Sequence, residues 1–234
     1  MSVSSFVIPQ PPQPVIAVAG DDRFFPVRRV WCVGRNYLDH IRELGHDERA
    51  PPFFFAKHAD MIDANGAVIP YPPLTQNLHH EVELIVAMKS GGLRIPADTA
   101  LDHVYGYAVG IDLTRRDLQN AVREKKQPWE IAKSFDHAAP CSALQPAAKI
   151  GHPSKGHIWL AVNGRETQSG DLAQMIWNVP EIIAQLSQQV ALDAGDIIMT
   201  GTPAGVSPLQ PGDHVECGCD GVGTLTVTIG QPAA

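Results

Sequence analysis

The 234-residue chain has few cysteines, no excess of basic residues and no long apolar run, and each absence excludes a class of protein. Four scattered cysteines are too few for a disulfide framework, so we expect them to be buried reduced thiols. A net charge of −7 argues against a nucleic-acid partner, because such a partner requires a clustered basic face. No stretch approaches the roughly 18 apolar residues that cross a bilayer, and no secretory signal pattern is present. We therefore expect a cytoplasmic protein without a membrane partner.

Several catalytic motifs are also missing. The chain contains no G-x-S-x-G nucleophile elbow and no Walker loop. The glycine-containing turn Gly201–Gly205 lacks the lysine of a phosphate loop and does not match a dinucleotide fingerprint. It is typical of a turn whose backbone approaches a ligand closely.

Turn-forming residues are abundant, with 20 glycines and 20 prolines, and they favour short strands over long helices. Strands outnumber helices and do not alternate with them regularly, which argues against a doubly wound fold. The sequence predicts one α+β domain over residues 28–234, with a strand-rich mixed sheet rolled or sandwiched around its core, after an extended arm over residues 1–27. Strands are expected at Arg29–Val33, Phe53–Lys57, 79–88, 104–112, 195–200, 213–218 and 222–229.

Helices and tight turns are predicted from capping residues and helix breakers. The predicted elements are a short helix capped by Asn36 and ending at Gly45, a polar helix over 115–125, a longer helix from Asn178 and Pro180 to about Ala191, and hairpin turns at Asn65-Gly66 and Asn163-Gly164.

Three acids lie at the ends of apolar strands. Glu81 and Glu83 open an apolar run that continues to Met88, and alternation along a strand points both carboxylates to one face, roughly 7 Å apart. Asp112 ends the next apolar strand. Like charges at the mouths of buried strands repel each other, so the pattern predicts a hard cation between them, Mg²⁺ first and Mn²⁺ or Ca²⁺ as alternatives. In the competing interpretation, the glutamates are solvated and Asp112 caps a helix.

A second candidate group is His40 with Glu43. Their spacing places both on one helix face, where a carboxylate can orient an imidazole and raise its basicity. Such a pair can deprotonate water, although an exposed helix also shows this spacing by chance. The neighbours His79 and His80 are left out of the predicted ligand set, because such histidines more often support ligands or lie at the surface.

The third group is cationic and polar. Lys57 and Lys133 are flanked by apolar residues, which would hold them near a pocket to neutralise a carboxylate or a developing oxyanion. Lysines in such positions also frequently extend to the surface, and that interpretation stays open. Arg116 and Gln119 follow Asp112 and face the same way where a helix begins.

Taken together, these segments resemble the fumarylacetoacetate hydrolase family from about residue 28 to residue 229, with bacterial fumarylpyruvate hydrolases as the most similar branch. The chain departs from the family pattern at His58, where many relatives carry proline after the lysine. The matching strings are VGRNYLDHIRE (33–43), HHEVEL (79–84), GIDLTRRDLQ (110–119), AKSFD (132–136) and GDIIMTGTPAGV (195–206), with PPFFFAKHAD (51–60) resembling that branch.

The resemblance implies a mixed β-roll or β-sandwich of the type found in the C-terminal domain of this family. It also implies a homodimer with one Mg²⁺ per subunit, held by Glu81, Glu83 and Asp112. Residues 36–50 would form a lid that carries His40 and Glu43, and closure of such a lid expels water from the site.

The implied substrate is a β-diketo acid such as fumarylpyruvate. His40 and Glu43 would remove a proton from water, hydroxide would attack the distal carbonyl, and the oxyanion would be stabilised by Lys133 with help from Gln119. Cleavage of the carbon–carbon bond would expel pyruvate as an enolate and leave fumarate. The residues expected to hold substrate carboxylates or the pyruvyl end are Lys57, Arg116 and Thr202.

Other activities of the same scaffold remain open at this point. They are hydrolysis of a broader range of acylpyruvates, decarboxylation of oxaloacetate, and isomerisation or decarboxylation of 2-hydroxyhepta-2,4-diene-1,7-dioate. All of them use an enolate, so the sequence separates them poorly. A protein of a different class, which binds a metal or a ligand without catalysis, is a further alternative.

Overall fold

The computed structural model describes residues 6–37 and 51–232, in which two large sheets and three smaller ladders surround the core. The strands are β1 (Val15–Ala17), β2 (Phe24–Pro26), β3 (Arg29–Gly34), β4 (Phe53–Lys57), β5 (Ile62–Asp63), β6 (Val68–Tyr71), β7 (Leu78–His79), β8 (Val82–Met88), β9 (Val104–Ile111), β10 (Thr114–Arg115), β11 (Ala139–Pro140), β12 (Gln145–Pro146), β13 (His157–Val162), β14 (Arg165–Asp171), β15 (Asp196–Met199), β16 (Pro208–Leu209), β17 (His214–Cys219) and β18 (Gly223–Pro232).

Helices are few and short among the described residues. The α-helices are α1 (Arg116–Glu124), α2 (Glu130–Lys133), α3 (Ala147–Ile150) and α4 (Val179–Gln189), and single 3₁₀ turns occupy Ala59–Met61, Ala100–His103 and Leu172–Gln174.

The first large sheet has the strand order β12-β9-β8-β15-β3-β4. Its central strand β8 is buried at all seven positions, as a continuous apolar run requires when both faces of a strand are covered. Strand β8 runs antiparallel to β9 and to β15, whereas β15 runs parallel to β3. The start of β8 therefore lies at the same edge of the sheet as the ends of β9, β15 and β3.

The second large sheet has the order β14-β13-β17-β18-β6 and packs with β13 against β8 and with β17 and β18 against β9. Along β18 the residues Leu225, Val227 and Ile229 are buried and alternate with more exposed positions. This alternation is expected when one face of a sheet covers the core. The strand-rich α+β sandwich predicted from the sequence is confirmed.

Two helices follow their sequence signals closely. The polar helix predicted at 115–125 is α1, and the longer helix is α4, whose cap is Asn178. The Asn178 side chain accepts a hydrogen bond from the Glu181 N–H, and the Glu181 side chain accepts one from the Asn178 N–H. This reciprocal pair satisfies backbone donors that the first turn of a helix leaves free.

The two Asn-Gly turns have different outcomes. Asn163 and Gly164 have φ angles of 52° and 78° and join β13 to its antiparallel partner β14, as predicted. Asn65 and Gly66 form a turn, but the hairpin prediction is wrong. The strands that flank this turn pair elsewhere, β5 with β11 and β6 with β18, so the turn carries the chain from one sheet to another.

The Asn36 side chain and the first 27 residues make contacts that the sequence did not predict. The Asn36 side chain is buried and donates to the carbonyl oxygens of Trp177 (2.9 Å) and Thr200 (2.8 Å), so it anchors two distant segments. Within residues 1–27, β1 and β2 form an antiparallel pair that buries Ile16 and Phe25. The predicted helix after residue 37 and most of the 36–50 lid lie outside the described residues.

All four cysteines are buried and free, as expected for reduced thiols. Within the described ranges, the helices are too short and too polar for any of them to cross a membrane.

Candidate active site

The three predicted acids meet at the edge where the strand ends converge. Glu81 directly precedes β8 and Asp112 directly follows β9, and the Asp112 N–H donates to the Glu81 carbonyl at 2.8 Å. Because side chains alternate along β8, Glu83 projects on the same face as Glu81. All three carboxyl groups are buried, and each offers an oxygen within 4.8 Å of the others. The solvated interpretation of the glutamates is therefore wrong.

Lys133 lies between two of these acids. Its ammonium group donates to Glu81 Oε2 at 2.8 Å, to Asp112 Oδ2 at 2.7 Å and to Thr114 Oγ1 at 2.7 Å. Burial alone would raise the pKa of Glu81, but the charges of Lys133 and Arg116 lower it well below its ordinary value. Glu81 is therefore an anion in the folded protein.

Lys57 contacts the Asp112 carboxylate oxygen that Lys133 leaves free. Its ammonium nitrogen lies 2.8 Å from Asp112 Oδ1, and it also donates to the carbonyl oxygens of Leu113 (3.2 Å) and Lys133. The Lys57 side chain has no exposed surface and is not part of the pocket wall. The structure thus makes it a counter-ion of Asp112, which differs from the predicted contact with a substrate.

Glu83 has a weaker set of partners. Its Oε2 accepts a hydrogen bond from the Gly201 N–H at 2.7 Å, and the described residues place no ammonium or guanidinium group in contact with it. Burial raises the pKa of Glu83 well above its ordinary value, and the nearby charges of Asp112 and Glu81 raise it further. A divalent cation would relieve this repulsion, and the three carboxylates supply the oxygen ligands that hard cations prefer. The residues present therefore fit a metal ion.

The three acids line a pocket together with the cationic residues Arg35, Arg116, Arg123 and Lys133. Arg116, Gln119 and Arg123 occupy one face of α1, since positions three, four and seven apart line up on a helix. Arg116 donates to Glu81 and to Gln119. Arg35 and Trp129 complete this side, with the Arg35 guanidinium 6.0 Å from the centre of the Trp129 ring.

The predicted site residues therefore fall into three groups. Residues that line the pocket are Glu81, Glu83, Asp112, Arg116, Gln119, Lys133 and Thr202. Lys57 contacts Asp112 but does not line the pocket, and the exposed His58 does not line it either. His40 and Glu43 lie outside the described residues.

Three residues in or next to the pocket were not predicted from the sequence. Arg123 could have been found, because it lies seven residues after Arg116 on a predicted helix. Arg35 belongs to the VGRNYLDHIRE string but has no charge pattern that sets it apart. Gln168, which contacts Thr202 from β14, had no local signal, because a glutamine in a polar strand is ordinary.

Fold and site together define a strand-rich enzyme scaffold in which a buried carboxylate trio can hold a metal ion. The sequence model of the family described as "Fumarylacetoacetate (FAA) hydrolase C-terminal" matches residues 29–230. The chain belongs to this family of enzymes.

Characterised relatives carry two different activities in their names. Human "Oxaloacetate tautomerase FAHD1, mitochondrial" is 41% identical over 214 residues, which are 88% of this chain and 97% of that protein. "Fumarylpyruvate hydrolase" from a Ralstonia species is 40% identical over 178 residues, 76% of this chain and 92% of that protein. The crystal structure of fumarylpyruvate hydrolase from Pseudomonas aeruginosa in complex with Mn²⁺ and pyruvate is 44% identical, with a TM-score of 0.95, and covers 97% of this chain and 100% of that chain. The resemblance to the fumarylpyruvate hydrolase branch is confirmed.

Proposed function

We propose that this protein is a metal-dependent hydrolase that cleaves the carbon–carbon bond of a β-diketo acid, with fumarylpyruvate as the preferred substrate and fumarate and pyruvate as products. The observation that carries the proposal is the buried trio of Glu81, Glu83 and Asp112 in an arginine-lined pocket. The similarity to the fumarylpyruvate hydrolases of Ralstonia and Pseudomonas aeruginosa supports the choice of substrate.

The proposed metal ligands are Glu81, Glu83 and Asp112, with Mg²⁺ as the expected ion and Mn²⁺ or Ca²⁺ as alternatives. The Mn²⁺ in the Pseudomonas aeruginosa complex is consistent with an oxygen-rich site of this kind. When bound, such a cation supplies Lewis-acid stabilisation of negative charge on substrate oxygens. Lys133 shares the carboxylates of Glu81 and Asp112, so its ammonium group and the cation would compete for the same oxygens.

The charge balance of the pocket supports an anionic substrate. With a divalent cation bound, the three acids would carry three negative charges, and Lys57, Lys133 and Arg116 would offset them with three positive charges. A divalent cation would leave two positive charges in excess, and Arg35 and Arg123 in the wall would add to them. This excess of positive charge favours an anionic substrate with two carboxylates, such as fumarylpyruvate.

The base is proposed to be His40, oriented by Glu43. Both residues lie outside the described part of the chain, but His40 is only four residues beyond the buried Asn36. Four residues span at most about 14 Å, and the preceding residues Val33–Arg35 line the pocket, so the base can reach it. His40 would take a proton from water while the water oxygen bonds to the distal carbonyl carbon.

The remaining steps use residues of the pocket wall. We propose that Lys133 and Gln119 donate hydrogen bonds to the tetrahedral oxyanion. The bond between the attacked carbonyl carbon and its neighbour then breaks, its electron pair leaves with the pyruvate enolate, and the enolate takes up a proton. Arg116 and Thr202 would hold substrate carboxylates, whereas Lys57 pairs with Asp112 and would not touch the substrate.

Conversion of oxaloacetate is the second candidate function, and the human tautomerase relatives favour it. Oxaloacetate is also a dianion with a keto acid that can enolise, so the pocket charge suits both compounds. Tautomerisation and decarboxylation do not require an activated water molecule. Tautomerisation still needs a base to move a proton, so removal of His40 is expected to separate hydrolysis from decarboxylation.

The test is a coupled pyruvate-release assay with fumarylpyruvate, shorter and longer acylpyruvates and oxaloacetate, each with Mg²⁺, Mn²⁺, Ca²⁺ or chelator. Fumarylpyruvate is expected to give the highest kcat/KM, and the His40→Ala variant is expected to lose hydrolysis. Unchanged hydrolysis in that variant would remove His40 as the base. Metal-dependent loss of oxaloacetate, without cleavage of any acylpyruvate, would favour the second candidate. Absence of any turnover would indicate a binding protein.

The oligomeric state and the cellular compartment stay predictions. We expect a homodimer, which light scattering after gel filtration measures directly. The cytoplasmic assignment is checked by fractionation, since the name of the human relative includes "mitochondrial".

A further inference from the structure

We propose that Gln168 is a positioning residue that fixes the direction in which the Thr202 hydroxyl donates its proton. In the proposed function, Thr202 contacts a substrate carboxylate, and the inference rests on that contact. Gln168 lies on β14 and is completely buried; it does not line the pocket, and among the pocket residues its hydrogen bond is to Thr202. Its influence on a ligand would therefore act through Thr202.

The orientation of the Gln168 amide is determined by two backbone groups. Oε1 accepts from the Val82 N–H at 3.0 Å, and Nε2 donates to the Pro203 carbonyl at 2.9 Å. A backbone N–H can only donate and a carbonyl can only accept, so oxygen and nitrogen of the amide cannot be exchanged. The other two bonds join Oε1 to His80 Nδ1 at 2.8 Å and Nε2 to Thr202 Oγ1 at 2.8 Å.

The bond to Thr202 has a defined direction. Because Gln168 Nε2 is a donor, Thr202 Oγ1 must accept, and its own proton remains available for another acceptor. Within the part of the chain that the structure describes, the Thr202 hydroxyl donates to no protein group. Thr202 lines the pocket, so its proton is directed toward the space in which an anionic ligand would lie. Nδ1–H of His80 faces Gln168 Oε1 whether the ring is neutral or protonated, so the direction of the Thr202 bond does not depend on the charge of His80.

A strand irregularity brings this network together. The register of β13 and β14 shifts between Leu160, which pairs with Gln168, and Ala161, which pairs with Glu166, so Thr167 is the additional residue of a bulge. In a regular strand, consecutive side chains point to opposite faces. Here Thr167 Oγ1 lies 3.3 Å from His80 Nε2 while Gln168 binds Nδ1 of the same ring.

The loop that carries Thr202 is held tightly against the bulge. Gly205 has a φ angle of 97°, and a Cβ at this position would lie 2.1 Å from the Thr167 carbonyl oxygen. A Cβ on Gly170 would lie 2.7 Å from Pro203 Cβ. Both glycines permit a backbone approach that any larger residue would prevent. Thr202 is thus positioned by close packing, and Gln168 adds the direction of its proton.

The experiment measures binding of pyruvate to the Mn²⁺-loaded protein by calorimetry, so that it needs no turnover. Gln168→Glu places an acceptor where the donor was, and the Thr202 hydroxyl would then donate to that carboxylate. We expect pyruvate affinity to fall roughly 10- to 100-fold, the loss of a hydrogen bond to a charged group. Thr202→Val is expected to cause a similar loss, and the double variant is expected to lose no more than Thr202→Val alone.

Gln168→Met provides a second variant that carries no charge. It removes the donor to Thr202, so it is expected to weaken pyruvate binding. In a protein that already carries Thr202→Val, Gln168→Met should cause no further loss of pyruvate affinity. Ser207→Ala is the matched control, because Ser207 bonds the far nitrogen of His80 at 2.8 Å and should leave pyruvate affinity within about twofold. Mn²⁺ affinity, titrated separately, should not weaken in Gln168→Glu.

The proposal would be overturned if each double variant lost as much pyruvate affinity as the two single variants together. It would also be overturned if Gln168→Glu kept full pyruvate affinity while Thr202→Val lost it. If the Mn²⁺-loaded wild-type protein bound no pyruvate, Thr202 would have no ligand to contact, and the proposal for Gln168 would be overturned as well. A wild-type protein that binds pyruvate but cleaves no acylpyruvate would refute the proposed hydrolase activity alone.

Discussion

Two groups of polar side chains lie near the start of β8 and differ in their chemistry. The charged cluster consists of Glu81, Asp112, Lys57 and Lys133, and the amide network consists of His80, Gln168, Thr202 and Ser207. In the charged cluster, every acid–base contact involves an ion removed from water, which carries a large desolvation cost. In the amide network, Gln168 uses all four of its hydrogen-bonding positions and carries no charge.

The difference assigns the two groups different tasks. A cluster of buried ions is an inefficient source of stability, but it is poised to exchange partners when another cation or an anion enters. A saturated neutral network gains little from rearrangement and instead fixes the geometry of its members. The charged cluster should therefore respond strongly to loss of one charge, whereas the amide network should respond weakly to loss of one hydroxyl.

The largest effect is expected for Asp112→Asn. This change keeps the size of the side chain but removes the acid between Lys57 and Lys133, so a buried positive charge is left without compensation. Breaking a buried ion pair in this way costs about 3 to 5 kcal/mol of unfolding free energy. Because Asp112 is also a proposed metal ligand, we expect metal-dependent pyruvate release to fall about 100-fold or more. Urea unfolding and the coupled assay measure the two effects.

Asp102→Asn is the matched control, since Asp102 is an exposed aspartate in the 3₁₀ turn that leads into β9. It should change the unfolding free energy by no more than about 0.5 kcal/mol. If the two variants proved equally stable, loss of a charge in the charged cluster would cost no more than loss of a surface charge. The contrast drawn between the charged cluster and the amide network would then be wrong.

An intermediate effect is expected at Glu83. Its pKa in the folded protein is raised above the ordinary value of 4.5, chiefly by burial, so the folded state holds a proton more tightly than the unfolded chain. The resulting stability is present below pH 4.5 and is lost as pH rises toward the folded pKa. Metal-free wild type should therefore lose stability relative to Glu83→Gln as pH increases above about 4.5.

Metal binding should reverse this trend in the wild type only. Binding displaces the Glu83 proton, so stabilisation by Mn²⁺ should grow with pH and approach about 2.7 kcal/mol at 100 times the dissociation constant. Melting temperatures from pH 5 to 8, with and without Mn²⁺, test both statements. Burial lowers the pKa of His79 to about 4, which destabilises the protein as pH falls below 6.5, but this contribution cancels between wild type and Glu83→Gln. Parallel pH curves for the two proteins would contradict the assignment.

The smallest effect is expected for Ser207→Ala at the outer end of the amide network. It removes one hydrogen bond to His80 Nε2, to which Thr167 Oγ1 also lies close at 3.3 Å. The cost should be about 1 kcal/mol of unfolding free energy, with Mn²⁺ affinity unchanged. A loss as large as that of Asp112→Asn would erase the distinction between the two groups.

The sequence predicted the charged cluster better than the amide network, for physical reasons. Acids at the ends of apolar strands are unusual, and the alternation of side chains was enough to place Glu81 and Glu83 on one face. Their convergence with Asp112 follows from antiparallel pairing of consecutive strands, which is the commonest arrangement. The side on which Lys57 approaches Asp112 depends on how β4 joins the sheet, and no local pattern contains that information.

Elsewhere, contacts between residues far apart in the sequence could not be predicted. Gln168 binds a residue 86 positions away, and the bulge that presents it becomes visible only when β13 is paired with β14. The turn at Asn65-Gly66 was predicted correctly as a turn, but its local signal could not reveal that the flanking strands belong to different sheets. The contacts of the Asn36 side chain were not predicted for a similar reason, because its partners Trp177 and Thr200 lie 141 and 164 positions away.

The four buried thiols can serve as natural probes of unfolding. None of Cys32, Cys141, Cys217 and Cys219 is more than 4% exposed, and burial raises the pKa of Cys141 and Cys219 to about 12. Alkylating reagents need an accessible thiolate, so they can label these positions only when the surrounding sheets separate. The rate at which mass increases in steps of one adduct would report how often each sheet opens, without any engineered probe.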